Sequence, residues 1–295
     1  MSTDPVWGTR PAVTDRTTVV MITHDRREAV LATLPRLLSL PERVPVVLVD
    51  NASTDGVVEA VRARHSQVDV VRLEENIGAA ARTEGVRRAR TPYVAFSDDD
   101  SWWSAQSLTL AADVLDHVPR LGVLAGQVRV GTGNDLDPVC VAMANSPLGD
   151  VPGAGPRILG FVACGAVVRR SAYLDAGGFH ARYGVGGEES LLALDLAERG
   201  WHCAYVADVL ARHHPSPVRD HQARRVHMTR NDLYTLWLRR PLRTVLPETA
   251  RVFTRARSDT AARAGLRHAL GGLPWVLAER RPVSRATEQA LRALG

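Results

Sequence analysis

Apolar residues in the first half of the chain fall into two alternating kinds of segment. TTVVMIT (17–23), VPVVLVD (44–50), VDVVRL (68–73) and PYVAFS (92–97) are continuous runs rich in β-branched residues, as expected for strands buried on both faces. Between them, residues 26–40 carry leucines at 31, 34, 37 and 38, and 55–65 and the Ala/Arg-rich 78–90 also read as helices. The order βαβαβαβ with short connections predicts an α/β fold, a mixed, mostly parallel sheet with flanking helices. Further apolar runs at 121–130, 162–168 and 203–209 add strands, and the Gly-, Pro- and Asn-rich interval 131–157 reads as a long loop. From about residue 216 strand patterning stops. Segments 220–240, 248–257, 259–270 and 284–294 look helical, broken by Pro241, Pro247, Pro274 and Pro282. The pattern divides the chain into a flexible N-terminal tail over 1–16, an α/β domain over 17–215 and a helical C-terminal extension over 216–295, with no internal repeat.

Composition narrows the chemistry. All 37 basic residues among the 295 are arginine. The absence of lysine excludes a P-loop lysine, a Schiff-base lysine and a Ser-x-x-Lys pair, and leaves guanidinium groups to meet phosphate or carboxylate partners. The net charge of +5 is uneven: residues 1–150 hold 15 Arg and 20 acids, whereas 151–295 hold 22 Arg and 12 acids. The polar start of the chain has no apolar signal-peptide region, and its longest apolar run, 158–168, is too short to span a bilayer. Cys140, Cys164 and Cys203 are isolated and form neither a disulfide framework nor a zinc motif. A cytoplasmic protein is expected, with peripheral contact at the inner face of a membrane as an option.

In a doubly wound sheet, ligands sit beyond the carboxyl ends of the strands. There the strand PYVAFS runs into Asp98-Asp99-Asp100. Three adjacent carboxylates repel one another, and a hard divalent cation with oxygen ligands is an economical counter-charge. Alternation in an extended segment lets Asp98 and Asp100 address one ligand while Asp99 faces elsewhere; the competing reading is a solvated turn capping the next helix. Trp102 and Trp103 follow and can either stack on a sugar or pack in the core. Two further strands end in Thr23-His24-Asp25-Arg26 and in Asp50-Asn51-Ala52-Ser53-Thr54-Asp55-Gly56. No GxGxxG follows the first strand, which argues against a dinucleotide fold and for a nucleotide held by side chains and a metal. Glu188-Glu189 open a leucine-rich helix, where acids favour the helix dipole or serve as a base.

The segments VVMITHDR, VLVDNASTDG, ENIGAAARTEG, YVAFSDDD and GGFHARYGVGGEESLLALDLAERGW, with the HH that follows, resemble in order and spacing glycosyltransferase family two, the inverting GT-A enzymes. The resemblance covers roughly residues 17–215, and rhamnosyl- and N-acetylglucosaminyl-transferring members are the expected kind. It implies a nucleoside pocket lined by Thr23, Asp25 and Arg26, with Asp50 recognising the base and Ser53 and Asp55 supporting that loop. Asn76, Gly78, Arg82 and Asp99 would border the nucleotide. Asp98 and Asp100 would act as the DxD pair for Mn²⁺ or Mg²⁺, Asp100 as the direct ligand, and His213 or His214 as a further metal or diphosphate ligand. Glu189 would be the general base, with Glu188 the other candidate, because this chain has Glu-Glu where the family has Glu-Asp. Trp102, Trp103 and Gly165 would lie on the sugar and acceptor side.

The implied activity is metal-dependent, inverting transfer of one sugar from a UDP- or dTDP-sugar to a hydroxyl or amine in cell-envelope glycan, lipid-linked or secondary-metabolite synthesis. A sugar-phosphate nucleotidyltransferase and a non-catalytic nucleotide-sugar-binding or scaffold protein are the alternatives. From 211 onward there are 17 Arg against 6 acids. Three readings stay open for this basic third: Arg219, Arg224, Arg225 and Arg230 covering the active site, adhesion to an anionic membrane, or nucleic-acid binding, which no motif supports.

Overall fold

The computed structural model describes residues 12–215 and 221–295. The α/β part runs β1 (Thr17–Thr23), α1 (Arg27–Leu38), β2 (Val46–Asp50), α2 (Val57–Arg64), β3 (Asp69–Arg72), α3 (Ala81–Arg88) and β4 (Tyr93–Asp98). It continues with β5 (Ser101–Trp103), α4 (Ser107–His117), β6 (Leu121–Val130), α5 (Pro138–Ala144), β7 (Ala166–Arg169), α6 (Arg170–Asp175), α7 (Glu188–Glu198) and β8 (His202–His213). The strands form one sheet in the order β3-β2-β1-β4-β7-β6-β8-β5, with Asp135–Leu136 as a short ninth strand on β6. Neighbours from β3 to β4 are parallel, as are β6 and β8; β7 is antiparallel to both β4 and β6, and β5 to β8. The apolar runs behave as expected of central strands: Val19–Met21, Val46–Val49 and Val94–Phe96 are fully or almost fully buried between helical layers.

The expected tail is tied down at its end. Val13–Arg16 form one helical turn, and the buried Arg16 pairs with Asp113 and Asp116 at 2.8 and 2.6 Å. Residues 1–11 lie outside the described residues.

Two expectations needed correction. The interval 131–157 is not one long loop: it holds α5 and a small hairpin pairing Asp150–Val151 with Gly155–Pro156. Asp137 caps α5, its carboxylate accepting from Val139 N at 2.8 Å, with Pro138 at the first helical position. That Asp-Pro signal was present in the sequence, masked by the surrounding glycines. Pro247 does not end a helix either, since it lies inside α9. Both it and Arg243, whose carbonyl loses its helical donor, are exposed, so water can satisfy that carbonyl.

The C-terminal third comprises α8 (His221–Arg239), α9 (Leu242–Arg255), α10 (Thr260–Gly271), α11 (Leu273–Glu279) and α12 (Arg285–Ala293). Its apolar cluster includes Leu233, Trp237 and Leu266 but also Tyr183 and Leu191 from the α/β part. The two parts therefore share a core. No described helix is long and apolar enough to cross a membrane.

Candidate active site

The carboxyl ends of β1, β2 and β4 open into a cleft of about 1130 Å³. At its floor β4 ends on Asp98 and the chain turns sharply into β5, with Asp98 N donating to Ser101 Oγ at 2.7 Å. Pairing of β5 with β8 sets His213 opposite Ser101, and His214 N donates to Asp100 O at 2.8 Å. Asp98, Asp100 and His213 thereby present one ligand atom each, all within 4.8 Å of one another. His213 Nε2 lies 3.3 Å from Asp100 Oδ1. Two carboxylates and an imidazole are a donor set suited to Mn²⁺ and, less fully, to Mg²⁺. His214 does not join them. Its ring meets Trp102 edge-on, 4.7 Å between centroids, because successive residues of an extended strand point to opposite faces.

The same alternation turns Asp99 away from that group. Its carboxylate accepts from Thr23 Oγ1 at 3.0 Å and meets Arg26 Nε at 3.1 Å, while Arg26 also reaches Asp100 Oδ2 at 3.2 Å. Burial, with Asp100 and Asp98 adding repulsion against the pull of Arg26, pushes the Asp99 carboxyl up to about 7. Thr23, Arg26 and Asp99 all line the cleft.

Arg82, on α3 and 4% exposed, joins this floor to the opposite wall. It is hydrogen-bonded to Asp98. Burial disfavours its charge, but Asp98, Glu188 and Glu189 together outweigh that and hold it protonated. Glu188 and Glu189 stand in the first turn of α7 on the cleft wall. The helix N-terminus favours carboxylates there, yet burial dominates: it pushes Glu188 up to about 8, helped by repulsion from Glu189, and raises Glu189 as well. Glu188 is 3% exposed and its Oε2 has no hydrogen-bond partner among the described residues. Glu189 is more accessible from the cleft, and its Oε1 receives a long contact from Ala163 N, 3.4 Å.

The loop after β2 is a web of side chain to backbone bonds. Asp25, at φ 50°, accepts from Thr54 N at 2.7 Å, while its own N–H donates to Ser53 Oγ at 2.9 Å. Asp55 accepts from Arg27 N at 2.7 Å. Asp25 and Ser53 thus staple two loops together and do not reach the cleft. Asp50, the expected base reader, is fully buried: Oδ1 accepts from Ser53 N at 3.1 Å and Oδ2 lies 3.7 Å from Arg72 Nε. The neighbouring Asn51 lines the cleft instead, donating to Gly78 O at 2.9 Å and accepting from Ile77 N at 2.9 Å. Asn76 and Gly78 are on the cleft wall. Gly78, at φ 62°, cannot carry a side chain, since a Cβ would stand 2.5 Å from the Gly184 carbonyl.

Three residues expected on the acceptor side do not line the cleft. Trp103 is 1% exposed with its indole N–H donating to Phe96 O at 3.2 Å, so it is a core residue and cannot stack on a sugar. Trp102 packs under the Arg36 guanidinium, 3.9 Å above its ring, and is not part of the cleft lining. Gly165 makes room for Val128, whose Cγ2 would lie 2.4 Å from a Cβ there, and not for a ligand.

A clamp from α8 reaches the cleft; sequence reasoning named Arg224 and Arg230 for it but missed His227, Met228 and Asn231. Arg224, His227 and Met228 line the cleft, and Asn231, fully buried, donates to Tyr183 O at 2.9 Å and to Gly186 O at 2.5 Å, just before Glu188. Arg230 donates to the same Tyr183 carbonyl and, through Nε, to Asn231 Oδ1 at 2.9 Å. Of the arginines expected to cover the site, Arg219 lies outside the described residues and Arg225 pairs with Asp259 at 2.7 Å, off the cleft. Asn231→Ala is expected to cost about 1–3 kcal/mol of stability by orphaning the Gly186 carbonyl and leaving Tyr183 O to Arg230 alone. It is also expected to lower kcat roughly tenfold by loosening the segment that carries the two glutamates. Urea unfolding and steady-state kinetics check both; an unchanged kcat at reduced stability would show that the clamp holds the fold alone.

The sequence profile described as glycosyl transferase family 2 matches residues 18–175. A Mycobacterium tuberculosis protein described as N-acetylglucosaminyl-diphospho-decaprenol L-rhamnosyltransferase is 28% identical over 280 residues, covering 79% of this chain and 90% of that one. Among solved structures, the fold is similar to the Pyrobaculum calidifontis mannosyltransferase PcManGT in complex with GDP-Man and Mn²⁺, at TM-score 0.59 and 21% identity over 99% of this chain and 89% of that one. It is also similar to S. aureus TarS in complex with UDP-GlcNAc, at TM-score 0.58 and 17% identity, over 75% of this chain and 66% of that one.

Proposed function

The chain belongs to glycosyl transferase family 2, and from that premise we propose that its cleft carries out a metal-dependent, inverting transfer of one sugar to a lipid-linked hydroxyl. The coarser statement is plain: the protein is a glycosyltransferase that takes its sugar from a nucleotide-sugar donor. The observation that carries the finer reading is the convergence, in one cleft, of the Asp98, Asp100 and His213 group with Arg82 and the Glu188–Glu189 pair.

Two opposed functional faces suit a single displacement. Glu189, whose pKa is raised by burial and whose carboxylate reaches the cleft, accepts the acceptor's hydroxyl proton as that oxygen attacks the anomeric carbon. On the other side the departing diphosphate gathers negative charge. Mn²⁺ or Mg²⁺ held by Asp98, Asp100 and His213 would supply charge stabilisation to that leaving group. Arg26 and Arg82, tied to these aspartates, orient the carboxylates and contribute fixed positive charge. Thr23, Asn51, Asn76 and Gly78 form the nucleoside side of the cleft. UDP or dTDP is the expected nucleotide.

One wall of the cleft is apolar, built from Val139, Ala142, Met143, Ile158, Leu159 and Phe161. This wall fits a prenyl chain better than a soluble sugar, and the mycobacterial relative's described acceptor is decaprenol-linked. Transfer of radiolabelled sugar from UDP- and dTDP-sugars to a polyprenyl-diphosphate-sugar, with Mn²⁺ or with EDTA, tests the reading. Product only with metal and lipid acceptor is expected; equal transfer in EDTA would overturn the metal assignment.

A further inference from the structure

The C-terminal helices leave one apolar face without protein cover. On α9, Leu242, Leu246 and Phe253 are 63%, 68% and 49% exposed, whereas Val245 on the inner face is buried. At ~100° per residue the three exposed side chains fall within about 40° of one another, a single stripe along the helix. Arg243 lies beside that stripe and Arg257 just beyond the end of α9; both are exposed, and neither forms an ion pair with any described residue. Several arginines of this third are neutralised in place: Arg239 by Asp195, Arg240 and Arg292 by Glu288, and Arg225 by Asp259. Beside the outward-facing apolar side chains of α9, Arg243 and Arg257 keep their charge uncompensated.

We propose that α9 seats the protein on an anionic lipid bilayer, with Leu242, Leu246 and Phe253 entering the acyl boundary and Arg243 and Arg257 meeting lipid phosphates. An apolar stripe edged by cations matches a surface whose outer layer is negative and whose next layer is hydrocarbon. A second copy of this chain would bring the same unpaired arginines against one another, which disfavours that occupant.

The position of the stripe relative to the cleft supports the same partner. Thr244 of α9 donates to Glu288 of α12 at 2.7 Å, and Arg240 at the end of α8 pairs with the same carboxylate at 2.6 Å. Six residues along, Leu294 lines the cleft, about 9 Å further at helical rise. The membrane-facing helix is therefore joined through one short helix to the cleft rim. This inference rests on the lipid-linked acceptor proposed above.

Vesicle flotation tests it separately from that reading. The full chain is mixed with phosphatidylglycerol or with phosphatidylcholine vesicles, alongside the Leu242→Ser/Leu246→Ser/Phe253→Ser variant and the Arg243→Glu/Arg257→Glu variant. Wild type is expected to float with phosphatidylglycerol and not with phosphatidylcholine, and each variant to lose binding about tenfold or more. Hydrolysis of the nucleotide-sugar in the absence of lipid is expected to stay unchanged in both variants, which also shows that they are folded. Absence of wild-type flotation, or undiminished flotation of the triple-serine variant, overturns the proposal. So does a wild-type dimer that the triple-serine variant converts to monomer, since a second copy then covers the stripe. Failure here with intact metal-dependent transfer to a lipid acceptor leaves the proposed function standing.

Discussion

Glu189→Gln is expected to lower kcat by about 10²–10⁴-fold while the melting temperature stays within a few degrees of wild type. The amide keeps the shape of the side chain but cannot take the acceptor's proton. Glu188→Gln is expected to act differently. Glu188 is buried with an unpartnered Oε2, and burial, helped by its neighbour's charge, raises its pKa to about 8. Below that pH it is protonated and uncharged, so the neutral amide leaves Glu189 with the same electrostatic surroundings and the same role.

The pH profile gives the sign. A base works only when ionised, and burial raises the Glu189 pKa, so wild-type kcat rises with pH along a limb displaced upward from the ordinary carboxylate range. In Glu188→Gln that limb keeps its place. Stability runs the other way: the folded chain retains on Glu188 a proton that the unfolded chain releases from about 4.5 upward, so this contribution is full below 4.5 and is lost as pH rises through about 8. Glu188→Gln is therefore expected to be more stable than wild type above pH 8. Initial rates and thermal melts across pH 5–9 on both variants check this. If Glu188→Gln abolishes transfer and Glu189→Gln does not, the roles are exchanged.

Asp100→Ala is expected to lower transfer by about a thousandfold or more and to remove the stabilisation that Mn²⁺ gives when added with a nucleoside diphosphate. Asp100 is the only carboxylate in contact with both Arg26 and His213 among the described residues. Its loss takes away one ligand and frees the two groups that hold the others in register. Asp98→Ala removes a ligand too, but it also strips Arg82 of its closest counter-charge in a buried setting, so it is expected to lose stability as well as activity. Thermal shift with and without Mn²⁺, in UDP and in dTDP, separates the two cases. An unaltered Mn²⁺ response in Asp100→Ala would place the metal elsewhere.

Much of this protein was legible before any tertiary structure. The β-branched runs at 17–23, 44–50 and 92–97 specify central strands, because only strands covered on both faces tolerate apolar residues at every position. Once those strands are parallel, the polar residues at their carboxyl ends must share one edge, which brings Thr23, Asp98 and Asp100 together. The placement of two acids at the start of α7 followed from the same local patterning. These are short-range regularities, and sequence carries them directly.

Local pattern could not decide what a given side chain faces. Trp102 and Trp103 are indistinguishable in sequence, yet β5 sends one into the core and the other under Arg36. Asp50 looks as exposed as Asp98 by position, but β3 on its outer side buries it, whereas Asp98 lies where the strand gives way to a turn. Of the two histidines, antiparallel pairing with β5, more than a hundred residues earlier, gives His213 to Asp100 and His214 to Trp102. The raised carboxyl pKa values at Asp99 and Glu188 exist only because folding removes water from groups that would be ordinary acids in the open chain. Asn231 reaches the loop before Glu188 from the C-terminal helices, a contact with no local signature at all. The sequence by itself determined the strand order's polar edge and the kinds of side chain placed there. Tertiary structure decided which of them meet and which are charged, because those outcomes depend on desolvation and on pairing between distant segments.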